Sequence, residues 1–165
     1  MPKFVIQEHA ARTLHYDFRL EVGGVLKSWS VPKGLSTDPK QKRLAIETPD
    51  HPVSWGRFEG VIPEGEYGAG PVLLWDRGTY RNLRKDEKGK LIPMKQCCKE
   101  GRIEVWLEGH KLAGGYALVR FKEEEKQWLV IKMRDEKADA RRNPIRSEPQ
   151  SVKSGKTIQQ LRNDG

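Results

Sequence analysis

Cysteine is almost missing from this chain. The only two, Cys97 and Cys98, stand side by side. Adjacent cysteines cannot cross-link distant parts of a fold, and the pair lacks the spacing of a zinc finger. They read as inert thiols in a reducing compartment. No apolar run approaches the roughly 20 residues of a membrane helix, and the opening "MPKFVIQEHA" has no apolar stretch of the signal-peptide kind. A soluble, cytoplasmic protein without a membrane partner is expected. The glycine-rich stretch "PEGEYGAG", residues 63 to 70, lacks the lysine and hydroxyl residue of a phosphate-binding P-loop. Nothing resembles a base-reading helix, and there is no internal repeat.

What is present is charge. Lys and Arg total 31 against 23 Asp and Glu, a net charge of +8. That balance favours a polyanionic partner, of which nucleic acid is the commonest. With 165 residues, 36% of them hydrophobic, the chain can build one core and no more. A monomer is expected.

Short β-rich runs alternate with turn signals such as "VGG", "PKG", "PEGEYGAGP", "EKGK" and "EGHK". The runs are "YDFRLE", "VLKSWSV", "RLAIE", "FEGVI", "VLLWDRGTY", "RIEVWLE", "GYALVRF" and "QWLVIKM". Their number and spacing predict a mainly β fold in one small domain, a barrel or a sandwich of about eight strands. In "RIEVWLE", Ile103, Val105 and Leu107 alternate with polar partners, as in a half-buried strand. Trp29, Trp75, Trp106 and Trp128 read as core, and His110 as a turn residue. The barrel domain is assigned to residues 1–135. Residues 136–165 are charged, poor in large apolar side chains, and read as a basic, partly flexible tail that follows the surface. Within it, Ser154 to Leu161 suits a short helix with Thr157 as N-cap.

Only four histidines occur, at 9, 15, 51 and 110. In "HYDFRLE" the odd positions His15, Asp17, Arg19 and Glu21 share one strand face, and Tyr16, Phe18 and Leu20 the other. His9, just upstream, is placed to fold back beside them. Two imidazoles and a carboxylate form a ligand set with open positions, suited to Mn²⁺, Fe²⁺ or Zn²⁺. The simpler alternative is that His15 and Asp17 merely pair on a polar face. Arg43 and His51 in "KRLAIETPDHP" and Lys33 in the "PKG" turn add cations and an imidazole outside the ligand set. Metal ligands, cations and a free imidazole are what phosphoryl transfer requires.

The stretches "FVIQEHAARTLHYDFRLEVGGVLKSWSVPKG", "DHPVSWGRFEGVIPEGEYGAG" and "VLLWDRGTY" closely resemble the 3′-phosphoesterase domain family of bacterial and archaeal DNA ligase D, here as a free-standing member. The resemblance runs from about Phe4 to Met133, with a weaker echo in "PQSVKSGKTI". It implies a small single-domain β-barrel of about eight strands with short helices, whose polar, metal-binding concave face uses one Mn²⁺ to heal DNA or RNA-tipped 3′ ends during repair, removing a 3′-phosphate or a 3′-terminal ribonucleoside, alongside a separate ligase and polymerase. By position, it implies His9, His15 and Asp17 as metal ligands, Arg19 on the scissile phosphate, His51 as general acid or transition-state stabiliser, and Lys33 and Arg43 as further basic groups of the site. Glu64 or Tyr67 would brace the ligands. Two departures stand out: Trp55 replaces a tyrosine common in relatives, and the arm that often precedes the first strand in fused relatives is not seen. Both predict that phosphomonoesterase action outlasts phosphodiesterase action. The rival from another class is a non-catalytic module of the same fold that only binds ends.

Overall fold

A computed structural model describes residues 1–164. Nine strands run in the order β1-β2-β3-β4-β9-β8-β7-β6-β5, and β1 also pairs with β6. That last pairing closes eight antiparallel strands into a barrel and leaves β5 (Gly60–Ile62) as an addition on β6 (Gly70–Asn82). Closure removes the free sheet edges that would otherwise invite aggregation.

Each of the eight expected runs overlaps a strand: β2 is Leu14–Val22, β3 Val25–Val31, β4 Lys42–Pro52, β7 Arg102–Gly109, β8 Ala113–Lys122 and β9 Gln127–Lys132. The remaining strand, β1 (Lys3–Ala10), shows no alternation, because residues 4 to 8 are all buried. Its inward side chains Phe4 and Ile6 enter the core, and its outward side is roofed. The roof is a 3₁₀ turn, Val53–Arg57, whose Gly56 lies over Val5 and Leu26.

Inside, Phe4, Ile6, Phe18, Leu20, Trp29, Trp75 and Trp128 pack with the alternating residues Ile103, Val105 and Leu107 of β7. Trp106 departs from the core expectation. It sits on the outer side of β7, half-buried, with Arg81 over its ring and its indole N–H donated to Glu108. The adjacent cysteines fall in an unforeseen short helix, α1 (Met94–Glu100), where Cys97 is buried.

Asp76, fully buried in β6, accepts the backbone N–H groups of His110, Lys111 and Leu112, and so shapes the β7–β8 turn that holds His110. Residues beyond 135 follow the barrel surface. Thr37 donates to the carbonyls of Asp139 and Arg142, Val152 N–H to Leu74, and Leu161 of α3 (Ile158–Asp164) reaches the core; α2 (Pro144–Ser147) lies between them. Thr157 caps α3 reciprocally with Gln160: each side chain accepts the other's backbone N–H, a capping box.

Candidate active site

Antiparallel register sets the site. His9 pairs with His15 across β1 and β2, and Gln7 with Asp17. Asp17 and Arg19 pair in turn with Ser30 and Ser28 of β3. Cross-strand partners share a face, so His9, His15, Asp17 and Arg19 converge on the outward face of the barrel, opposite the apolar core. The 3₁₀ turn reaches that face through Gln7 and the 63–70 loop through His9.

Three ligand atoms, one each from His9, His15 and Asp17, lie within 4.8 Å of one another. His9 Nδ1 is 3.5 Å from Asp17 Oδ2, and His15 Nε2 is 3.3 Å from Asp17 Oδ1. The outer ring nitrogens are engaged by backbone carbonyls: His9 Nε2–H donates to Gly68 at 2.6 Å, and His15 Nδ1–H to Thr13 at 3.2 Å. With the outer nitrogens so engaged, the inner ones face Asp17 and donate to it when they carry a proton; giving up that proton would turn a lone pair from each ring toward one point. That is how metal-binding histidines are oriented. The set fits a divalent transition ion.

Charge and hydrogen bonding favour the ionised carboxylate at the centre of this group. Burial by itself raises the Asp17 carboxyl, but hydrogen bonds from His15 and His9 and the Arg19 charge win, holding it well below the ordinary carboxylate range. The same hydrogen bond to Asp17 raises the His15 imidazole, against the opposing effect of burial. With side chains only 12%, 18% and 11% exposed, His9, His15 and Asp17 interact in a poorly screened setting.

Arg19 is the hub of the site. Its Nε donates to Gln7 Oε1 at 2.7 Å, its Nη1 to Ser28 Oγ at 2.8 Å and toward His51 Nδ1 at 3.1 Å, and its Nη2 faces Asp17 Oδ2 at 3.4 Å. A guanidinium has five N–H donors. Four are directed at these partners, which leaves one on Nη2 for an added anion. Gln7, itself fully buried, spends its amide N–H groups on the carbonyls of Trp55 and Phe58 at 2.9 and 3.1 Å. One side chain thereby links Arg19 to the 3₁₀ turn.

His51 reaches the cluster from β4, where a register shift opposite Leu26–Ser28 turns it to the outer face. Its Nδ1 lies between an obligate donor, Arg19, and an obligate acceptor, the Pro49 carbonyl at 2.9 Å. It can serve only one at a time, so either protonation state of Nδ1 finds a partner and Nε2 stays free. Burial and then Arg19 lower its pKa.

Five of the seven expected site residues therefore meet: His9, His15, Asp17, Arg19 and His51. Lys33 is exposed in the turn after β3. Arg43 pairs with Val130, a core residue, so it points to the barrel side of β4, where it donates to Gln41. Among the described residues, no hydrogen bond or ion pair ties either to the cluster. The 63–70 loop braces the site differently than expected. Glu64 and Tyr67 are exposed, Tyr67 completely, and the contact to His9 is the backbone carbonyl of Gly68. Gln7 and Ser28 were not singled out as site residues. Gln7 gives itself away only through the unbroken burial of β1, and Ser28 only through its register against Arg19.

Fold and cluster together define the class: a closed antiparallel β-barrel carrying, on its outer face, a two-histidine, one-carboxylate set for a divalent metal beside a buried arginine. Comparison with known proteins narrows this. Residues 7–120 match the model of the DNA ligase D 3′-phosphoesterase domain. The chain is 41% identical over 160 residues to the multifunctional non-homologous end joining protein LigD of Pseudomonas aeruginosa, covering 94% of this chain and 18% of that protein. It is 47% identical over 135 residues to the corresponding Mycolicibacterium smegmatis protein, covering 82% and 17%, and 47% over 134 residues to that of Mycobacterium tuberculosis, covering 81% and 16%. The chain belongs to the DNA ligase D 3′-phosphoesterase domain family. It spans less than a fifth of the length of these curated relatives.

Proposed function

We propose that this protein is a Mn²⁺-dependent phosphoesterase that heals DNA or RNA-tipped 3′ ends, removing a 3′-phosphate or a 3′-terminal ribonucleoside to leave a 3′-hydroxyl. The observation that carries the reading is the unbroken chain of contacts from His9, His15 and Asp17 through Arg19 to His51. His9 through Nδ1, His15 through Nε2, and Asp17 would hold the ion, which when bound supplies Lewis-acid polarisation of a phosphate oxygen.

The remaining work falls to this chain's own side chains. Arg19 offers its last Nη2 donor to the phosphate while Gln7, Ser28 and Asp17 keep the guanidinium in place. His51 as imidazolium donates Nδ1–H to Pro49 and carries a second proton on Nε2. Giving that proton to the departing alkoxide leaves a neutral ring still bonded to Pro49, so no reorientation is needed. Arg19 and burial make this imidazolium a stronger acid, and the negative charge of an arriving phosphate favours its formation. Lys33 and Arg43 add positive charge at longer range. In this reading the protein acts as a cytoplasmic monomer upstream of a separate ligase and polymerase.

The test is a 5′-labelled primer–template ending in a 3′-phosphate or in one 3′-ribonucleotide, incubated with and without Mn²⁺. Shortened or dephosphorylated product only with the metal is expected. End binding without product in either case would leave a binding module in place of an enzyme.

A further inference from the structure

The last stretch of chain lies outside the part matched by the family model, yet it is fastened beside the catalytic wall. Glu59, just after the 3₁₀ turn, accepts the backbone N–H of Leu74 at 2.8 Å and the hydroxyl of Ser151. Val152 N–H bonds Leu74, and Lys153 Nζ donates to the Arg57 carbonyl at 3.0 Å. Ser151 Oγ also accepts the N–H groups of Lys153 and Ser154, so the loop that carries Lys153 is internally tied.

This anchors the Lys153 side chain on the backbone of Arg57, at the end of the turn that carries Trp55, and both residues are exposed. Among the described residues neither has a carboxylate partner within ion-pair distance. The Glu59 carboxylate is occupied by Leu74 and Ser151, and Lys156 is paired with Asp164. Cations carried at one turn without a carboxylate partner lower the free energy of an anion bound there. On the same turn, Trp55 stacks on Phe58 with centroids 4.5 Å apart and planes within 11°, and its ring lies 6.1 Å from that of His51. Cations that continue from an aromatic pair suit a polyphosphate strand with sugars and bases.

We propose that Arg57 and Lys153 form a phosphate-binding edge that grips the nucleic-acid backbone leading to the 3′ end held at His51, which makes the C-terminal segment part of the substrate surface. The proposal rests on the end-healing reading for the identity of the polyanion. It concerns binding, so it is tested without turnover.

The full chain is titrated against a fluorescent duplex with a recessed 3′-phosphate, by anisotropy in the absence of divalent metal, between 50 and 200 mM salt. Each phosphate contact contributes about 0.9 to the slope of log affinity against log salt. Arg57→Ala and Lys153→Ala are each expected to lower that slope by about 0.9, and the double variant by about 1.8. Lys88→Ala, which removes an equal charge from the loop after β6, is expected to leave it unchanged. Slopes equal to wild type in the double variant, or an equal fall with Lys88→Ala, would overturn the proposal. Wild-type binding without any hydrolysis once Mn²⁺ is supplied would sink the catalytic reading and leave this one standing.

Discussion

At the scale of single residues, the site depends on a few side chains whose removal separates chemistry from folding. His15 is on the outer face and contributes nothing to the apolar core, so His15→Ala should leave the fold intact. Partners that only orient a metal ligand cost about 10–100-fold when lost, so loss of a ligand should lower Mn²⁺ affinity and activity by on the order of 10²-fold or more. Calorimetric metal titration beside a thermal melt checks both halves, and undiminished metal binding would remove His15 from the ligand set. Trp55 poses a subtler question. It has no hydroxyl to offer a phosphate, although its ring can meet a sugar or base. Cleavage before a terminal ribonucleoside needs that extra sugar positioned, where a displacement of about 1 Å can cost on the order of 10²-fold. Monoester hydrolysis should therefore be the faster reaction, and Trp55→Tyr should raise the diester rate relative to it. Rates timed on both substrates at one Mn²⁺ concentration decide this; equal rates, unmoved by the substitution, would show that position 55 is neutral.

At the scale of elements, the 63–70 loop acts on the metal set through its backbone. Gly68 has a φ of +75°, a conformation that L side chains avoid, and a Cβ built there would meet His9 Cε1 at 3.2 Å. Its carbonyl must also stay at 2.6 Å from His9 Nε2 to keep Nδ1 of that ring turned toward Asp17. Gly68→Ala should strain the loop and shift the imidazole, weakening metal binding by about 10- to 100-fold with little change in the barrel. Metal affinity read beside far-ultraviolet circular dichroism is the check. An unaltered affinity would mean that the loop is a bystander.

At the scale of the whole molecule, the C-terminal segment is joined to the barrel where β8 begins and β9 ends. Lys132, with no exposed side-chain surface, donates to Asp135 at 2.7 Å. Asp135 in turn accepts the backbone N–H groups of Gly115 and Lys137. Asp135→Asn would strand a buried ammonium ion, a loss of about 3 kcal/mol, equivalent to a melting shift of roughly 6–12 °C for a chain of this size. The pH dependence has a definite sign. Burial alone raises the Asp135 carboxyl, but the Lys132 hydrogen bond and the two backbone N–H groups outweigh it and hold its pKa below the ordinary value. A carboxyl depressed in the folded state contributes stability that is complete above its unfolded pKa of about 3.9 and lost as pH falls through the lower folded value. Acid should therefore destabilise the wild type more than Asp135→Asn over that range, as melts at several pH values will register. Parallel curves would remove the pair from the account.

Much of this protein is written in local pattern. Alternation in "YDFRLE" and "RIEVWLE", the turn signals between runs and the absence of long apolar stretches determined a mainly β fold, barrel or sandwich; the β1–β6 pairing made it a barrel. The His-x-Asp spacing determined that two candidate ligands share a face, since side-chain direction along a strand depends only on position. Thr157 announced the last helix as its N-cap, because a cap is a contact within one turn; the reciprocal bond from Gln160 appeared only in the fold. Other features depend on which strands become neighbours, and no local pattern carries that. β1 lost its alternation because the 3₁₀ turn, some fifty residues away, covers its outer side. His9 meets Asp17 only through the β1–β2 register, and His51 meets Arg19 only through the shift in β4. Gln7 became the link between arginine and turn because both arrive at it from other parts of the chain. Arg43 and Lys33 were carried elsewhere, Arg43 by its pairing with Val130 on the barrel side of β4 and Lys33 by the turn after β3. The ingredients of the metal centre were local; their meeting on one wall of the barrel was decided by closure.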